Sequence, residues 1–108
     1  MKIWVDDIRE APAGWIWCKS VVEAKNKILN FFIHIDEISL DHDAGKYSIH
    51  GDYIKILDWL EELQNVENGS SKFDMSNITF SIHSMNPVGV ENMKRIIKRN
   101  NWEYKERR

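Results

Sequence analysis

Cysteine is nearly absent from this chain: Cys18 is the only one among 108 residues. No intrachain disulfide can form, which excludes the stapled secreted mini-domains and fits a reducing, cytoplasmic setting. Long apolar runs are missing too, and nothing in the sequence reaches the ~20 residues that a bilayer-spanning helix needs. The opening Met-Lys-Ile-Trp-Val-Asp-Asp turns acidic by residue six, the wrong pattern for a secretory signal. A strong charge of one sign is also lacking, since 15 basic and 17 acidic residues leave a net charge of −2. That near-balance argues against a general nucleic-acid binder, which shows a marked basic excess. The basic tail from Lys94 to Arg108 interleaves with Met93, Ile96, Ile97 and Trp102, so it reads as the solvated face of a helix and a last strand. Paired cysteines and a His-Glu-x-x-His string are both missing, and with them any zinc pattern.

What is present is a single domain over residues 1–108, 43% hydrophobic and with five Trp, enough for one real core. Residues 2–6 form a short run of β-formers that ends abruptly in acids, as a buried parallel strand does. After Pro12 and Gly14, residues 15–18 (Trp-Ile-Trp-Cys) make a second strand. Ser20 with Glu23 three positions on is a capping-box signature, and the helix behind it fades near Asn30. Residues 37–41 make a third strand, followed by a polar loop from His42 to Gly51. Asp52 caps a second helix through Gln64, and residues 65–77 form a polar, mobile loop. Residues 78–83 alternate cleanly as a fourth strand, Pro87 opens a third helix over 87–99, and 102–105 is a fifth, edge strand. Alternation of strands and helices predicts an α/β fold: an open, mainly parallel sheet of four to five strands with helices on both faces. One crossover helix is missing. About eight residues separate the first two strands, too few for a normal crossover, so either an irregular loop replaces it or the second strand pairs differently.

In open α/β sheets, ligands bind beyond the carboxyl ends of the strands. Three strands here end in reactive groups: Asp6 and Asp7; Asp41, His42 and Asp43; His83 and Ser84. One such ending has an ordinary explanation, because Asp is common where a strand turns into a loop. Three at one edge point to a site. Two carboxylates ~5 Å apart repel by roughly 3 kcal/mol at an effective dielectric near 20. Asp6, Asp7 and Asp41, if brought together, therefore call for a cation, a raised pKa or a basic partner such as Arg9 or Lys105. The cation suited to hard oxygen ligands is Mg²⁺ or Mn²⁺. His42 lies between two acids that can orient its ring, and His83 ends an alternating strand. Two convergent imidazoles could act as acid and base on either side of a phosphorus atom; each alone could equally be a bonded residue closing a strand. His34 and His50 read as incidental and as a loop or capping residue. Asn86-Pro87-Val88-Gly89 opens the third helix with free N–H groups that could receive a phosphate, or is a plain turn and cap. Trp4, Trp15, Trp17 and Trp59 fill the core and its margins, and Cys18 is buried and inert.

Lys-Ile-Trp-Val-Asp-Asp, Ile-Ser-Leu-Asp-His-Asp and Ile-His-Ser-Met-Asn-Pro-Val-Gly together resemble the cyclic-phosphate-processing receiver-like domains, a divergent branch of the response-regulator receiver fold. The resemblance covers almost the whole chain. It implies a receiver fold in which Asp6, Asp7 and Asp41 hold a divalent cation, and an activity on cyclic phosphates in bacterial or phage conflict systems. On that expectation the chain is a metal-assisted hydrolase or phosphodiesterase for a small phosphorylated ligand, such as a cyclic nucleotide or a cyclic-phosphate end. His42 and His83 would move protons, Asp43 would orient a histidine or complete the metal shell, and Arg9, Ser84 and Asn86 would hold the phosphate. Two rivals stand beside it: a non-catalytic pseudo-receiver that binds a nucleotide signal or a protein partner, and a phospho-accepting receiver that uses Asp41.

Overall fold

The structure, a computed structural model, describes residues 1–43, 52–65 and 73–106. The expected His42–Gly51 loop beyond Asp43, with His50, and the centre of the 65–77 loop lie outside the described residues. Five strands form one sheet: β1 (Lys2–Val5), β2 (Trp15–Cys18), β3 (Glu37–Leu40), β4 (Thr79–Ile82) and β5 (Glu103–Tyr104). All pairings are parallel, in the order β2-β1-β3-β4-β5. Three helices connect them: α1 (Val21–Phe31), α2 (Ile54–Asn65) and α3 (Pro87–Arg99). Each start has a local cause. The Ser20 side chain accepts from the Glu23 N–H at 3.0 Å while Glu23 accepts from the Lys19 N–H, a reciprocal cap. Asn86 caps α3 and Pro87 occupies its first turn. α2 begins at Ile54, its entry turn closed by the Lys55 N–H on the Asp52 carbonyl.

The absent first crossover helix is confirmed, and an irregular loop takes its place. Residues 6–14 return the chain from the end of β1 to the start of β2, which still pairs parallel with it. Nine extended residues reach ~30 Å, ample for a four-residue strand. The expectation of helices on both faces is corrected. The steps β2→β3, β3→β4 and β4→β5 all run in one direction across the sheet, so right-handed crossovers place α1, α2 and α3 on one face. The helices accordingly touch one another in sequence. They cover Ile3, Val5, Ile38, Leu40, Phe80 and Ile82 with Ala24, Ile28, Leu57, Leu60, Met93 and Ile97, forming a single core.

The opposite face is polar and aromatic. Register sets Trp4 beside Ser39 and Ser39 beside Ser81, with Glu37 one pleat below. Trp4 is buried yet stands outside the hydrophobic core, on this second face, while Trp102 is the tryptophan that enters the core. Trp59 packs at the core margin, as expected. Loop 6–14 lies against Trp4, whose indole N–H donates to the Arg9 carbonyl at 2.9 Å. Among the described residues no helix is long and apolar enough to cross a membrane.

Candidate functional site

The sheet ladder extends one residue past the strand ends: Asp6 N–H donates to the Cys18 carbonyl, Asp41 N–H to Val5 and His83 N–H to Leu40. Asp6, Asp41 and His83 therefore stand side by side at the carboxyl edge, and the sequence-predicted groups do meet in one place. A carboxylate oxygen from each of Asp6, Asp7 and Asp41 lies within 4.8 Å of the others.

Asp6 is almost wholly buried and heavily bonded. Its Oδ1 accepts from the backbone N–H of Ile8 (2.8 Å) and Arg9 (2.9 Å), which folds the chain back on itself after β1. Its Oδ2 lies 3.1 Å from His83 Nε2, and the Arg9 Nε is more distant at 3.9 Å. A carboxylate has about four lone-pair positions, so Oδ2 keeps one for a further ligand. Asp41 Oδ1 accepts from the His42 N–H. Burial, and next the Asp6 charge, push the Asp41 carboxyl up, while the His42 N–H, the Ser84 hydroxyl and Arg9 pull it back. Asp7 receives the Tyr53 hydroxyl at 3.3 Å. Burial foremost, and then the Asp7 charge, raise the Tyr53 phenol well above its usual range, so it stays a donor.

His83 does not converge with His42. Its ring is stacked on Trp4 at 3.6 Å between centroids and 8° between planes. Its Nδ1 is 2.8 Å from the Ser39 hydroxyl and its Nε2 is on Asp6, so both nitrogens are engaged inside the protein. With the carboxylate accepting, Nε2 carries a proton, while Ser39, whose hydroxyl can donate or accept, partners Nδ1. Both bonds hold the Asp6 carboxylate and the imidazole in fixed orientation.

His42 belongs to a second cluster at the same edge. Its Nδ1 is 2.8 Å from Asp43 Oδ1 and 3.9 Å from Asp52. The hydrogen bond from His42 holds the Asp43 carboxyl below its ordinary range, so Asp43 accepts and His42 donates through Nδ1. Nε2 is then the acceptor of the ring, as in the aspartate–histidine pair of a general base. Asn86 Nδ2 also donates to Asp43, at 3.3 Å, and its Oδ1 caps the Gly89 N–H at 3.0 Å. Those bonds use its oxygen and one of its two amide N–H groups, so Asn86 orients Asp43 here. Ser84 faces Asp41 and accepts the Asn86 N–H at 3.1 Å. Arg9 donates to the His83 carbonyl at 2.8 Å, and its half-exposed guanidinium retains further N–H groups.

Lys105 is not at the site. Its Nζ lies 3.6 Å from the buried Glu37, on the polar sheet face, which leaves Arg9 as the basic neighbour of the acids. Cys18 is fully buried and its thiol is pushed up to about 11 by desolvation foremost, as an inert core residue should be. Sequence reasoning missed Trp4, Ser39, Tyr53 and Gly89. The first two carried a signal: each lies two residues before a strand-end acid, hence on the same face and one pleat away.

The acidic trio suits a hard divalent cation: three carboxylates, a free position on Asp6 and an Asp41 carboxyl left under-compensated. The family model of the cyclic-phosphate processing receiver domain matches residues 1–99. No curated protein and no solved structure matches the chain.

Proposed function

The chain belongs to the cyclic-phosphate processing receiver domain family, and from that premise we propose that it is a metal-assisted phosphoesterase that opens or hydrolyses a cyclic phosphate. One observation carries the reading: three acids with oxygens within 4.8 Å of one another share a sheet edge with an aspartate-held imidazole. Asp6, Asp7 and Asp41 would hold a divalent cation, Mg²⁺ or Mn²⁺. When bound, such a cation neutralises phosphate oxygens and stabilises the charge that grows on them.

The remaining steps fall to the chain's own side chains. Arg9 and Ser84 orient the phosphate from either side of Asp41. His42 Nε2 takes the proton of the attacking water, and Asp43 stabilises the imidazolium through Nδ1. The new P–O bond forms as the ring P–O bond breaks, and the departing ring oxygen leaves as a hydroxyl by taking the proton that the His42 imidazolium gives up, directly or through water. His83, bonded on both nitrogens, keeps Asp6 in place under the Trp4 lid. Its part is to hold a ligand-bearing acid, a narrower role than proton transfer.

The test is turnover of 2′,3′- and 3′,5′-cyclic nucleotides and of RNA ending in a cyclic phosphate, with Mg²⁺, with Mn²⁺ and with chelator. We expect metal-dependent ring opening that falls roughly 10²–10⁴-fold in His42→Ala. Full activity in His42→Ala would remove the proton-transfer assignment, and no turnover in any arm would remove the enzyme. Use of Asp41 as a phosphoacceptor is the rival reading, favoured by its neighbour Ser84. Labelling by acetyl phosphate that disappears in Asp41→Asn would support it instead.

A further inference from the structure

The opening turn of α3 packs directly against the His42 ring at Gly89. A Cβ added at Gly89 would fall 2.4 Å from His42 Cγ, 2.6 Å from Cδ2 and 2.7 Å from Nδ1. Carbon–carbon contacts settle at about 3.5–4.0 Å, so any side chain at 89 would drive the ring off by roughly 1 Å. The glycine is not there for backbone freedom. Gly14 is the only described glycine with a positive φ, and Gly89 sits in ordinary helix, where Ala is the better former. What the position supplies is a flat seat for an imidazole.

The same turn provides the second constraint. Asn86 spans both structures: Oδ1 caps the Gly89 N–H, and Nδ2 reaches Asp43 Oδ1, the oxygen that accepts from His42 Nδ1. The His42 ring is thus held from below by a bare backbone and edge-on by a carboxylate that Asn86 steadies. The ring atoms nearest the seat are Cγ, Cδ2 and Nδ1, and Asp43 takes the Nδ1 side, so Nε2 is the ring nitrogen left to a ligand.

We propose that Gly89 and Asn86 are positioning residues that fix His42 in its Nδ1–H tautomer and present Nε2 to the ligand. The catalytic half of this inference rests on the reading of His42 as the proton acceptor; the structural half stands without it. A role in helix stability alone makes the opposite prediction, because Gly89→Ala would then be neutral or favourable.

The experiment is a long-range ¹H–¹⁵N spectrum of ¹⁵N-histidine protein at pH about 8.5, where an ordinary imidazole is neutral, the signal assigned by its loss in His42→Gln. In the wild type we expect the His42 proton on Nδ1. In Gly89→Ala, and in Asn86→Ser, which keeps the cap but removes the Nδ2 donor that steadies Asp43, we expect it to move to Nε2. Thermal midpoints should stay close to wild type. Turnover of 2′,3′-cyclic AMP with Mg²⁺ should fall about 10²-fold in kcat, the usual cost of a ~1 Å misplacement, with KM little changed. An Nε2–H wild type, or a tautomer unchanged in both variants, overturns the proposal. Should Gly89→Ala fail to fold, Asn86→Ser alone decides. If the tautomer moves but the wild type never turns over the nucleotide, the seat is real and the enzymatic reading is what fails.

Discussion

Replacing Asp41 by Asn isolates the electrostatic cost on which the metal reading depends. Two carboxylate oxygens no more than 4.8 Å apart repel by at least about 3.5 kcal/mol at an effective dielectric of ~20 and about 0.9 kcal/mol in bulk water. Arg9 offsets part of this from 3.9 Å, with a guanidinium half open to solvent. The amide keeps an acceptor for the His42 N–H but weakens the bond from Ser84, a loss of about 1 kcal/mol. The balance favours Asp41→Asn by about 1–2 kcal/mol at neutral pH without divalent ions, a rise of several degrees in Tm. The sign with pH follows from the direction of the shift. Asp41 titrates higher folded than unfolded, so its ionisation opposes folding above the folded pKa and costs nothing below about 3.9. The advantage of the variant should therefore fade as pH falls through that range.

Adding Mg²⁺ should reverse the order. At 100 times its Kd a bound ion stabilises the wild type by about 2.7 kcal/mol, and the variant, short of one ligand charge, gains much less. Thermal melts in EDTA and in Mg²⁺ at several pH values measure both effects. A variant less stable than wild type in EDTA at neutral pH, or one with an equal response to Mg²⁺, would refute the claim that the acids form an under-compensated cation site.

Two further outcomes follow from the buried groups. His83→Ala should lose about 2–4 kcal/mol in urea titration, because Asp6 and Ser39 both lose a buried partner and Trp4 loses its stacking neighbour. A loss under 1 kcal/mol would mean that the chain of bonds contributes little. Cys18, fully buried with its thiol raised to about 11, should resist thiol reagents in the native state and react only on unfolding; fast native labelling would show the strand edge to be open.

Much of the architecture could be read from local chemistry. Each helix carries its own start signal, and the third matches residue for residue because Asn86 and Pro87 are a cap and a first turn whatever surrounds them. β1, β3 and β4 end one residue earlier than the pattern predicts, at Val5, Leu40 and Ile82, although the next residue of each still donates to the ladder. The missing helix was legible from spacing alone. What local reading could not supply is which groups hold one another. From the sequence His83 reads either as a proton carrier or as a bonded residue closing its strand, because its partners, Ser39 and Asp6, come from two other strands and become neighbours only through register. Gly89 looked like a turn residue in Asn-Pro-Val-Gly, whereas its use is set by a ring arriving from β3.

The one-sided helices had a visible cause that composition obscured. In Lys2–Asp6, Glu37–Asp41 and Thr79–His83 the odd-numbered positions of the first and the even-numbered positions of the other two are apolar without exception, and the intervening ones are polar or aromatic. A sheet covered on both faces has no use for Ser39, Ser81 and Glu37 in its middle. A crossover helix would find two hydroxyls and a carboxylate there in place of an apolar surface. Loop 6–14 needs no such surface. Its backbone answers Asp6 Oδ1 twice, its Arg9 carbonyl takes the Trp4 indole, and its Arg9 guanidinium reaches the His83 carbonyl. Shortening that connection thus does two things at once: it leaves room for Trp4 to lie flat on His83, and it returns a cation, Arg9, to the acids. The loop and the Asp6–His83–Ser39 chain stand or fall together, because the space a helix would occupy is the space the imidazole stack fills.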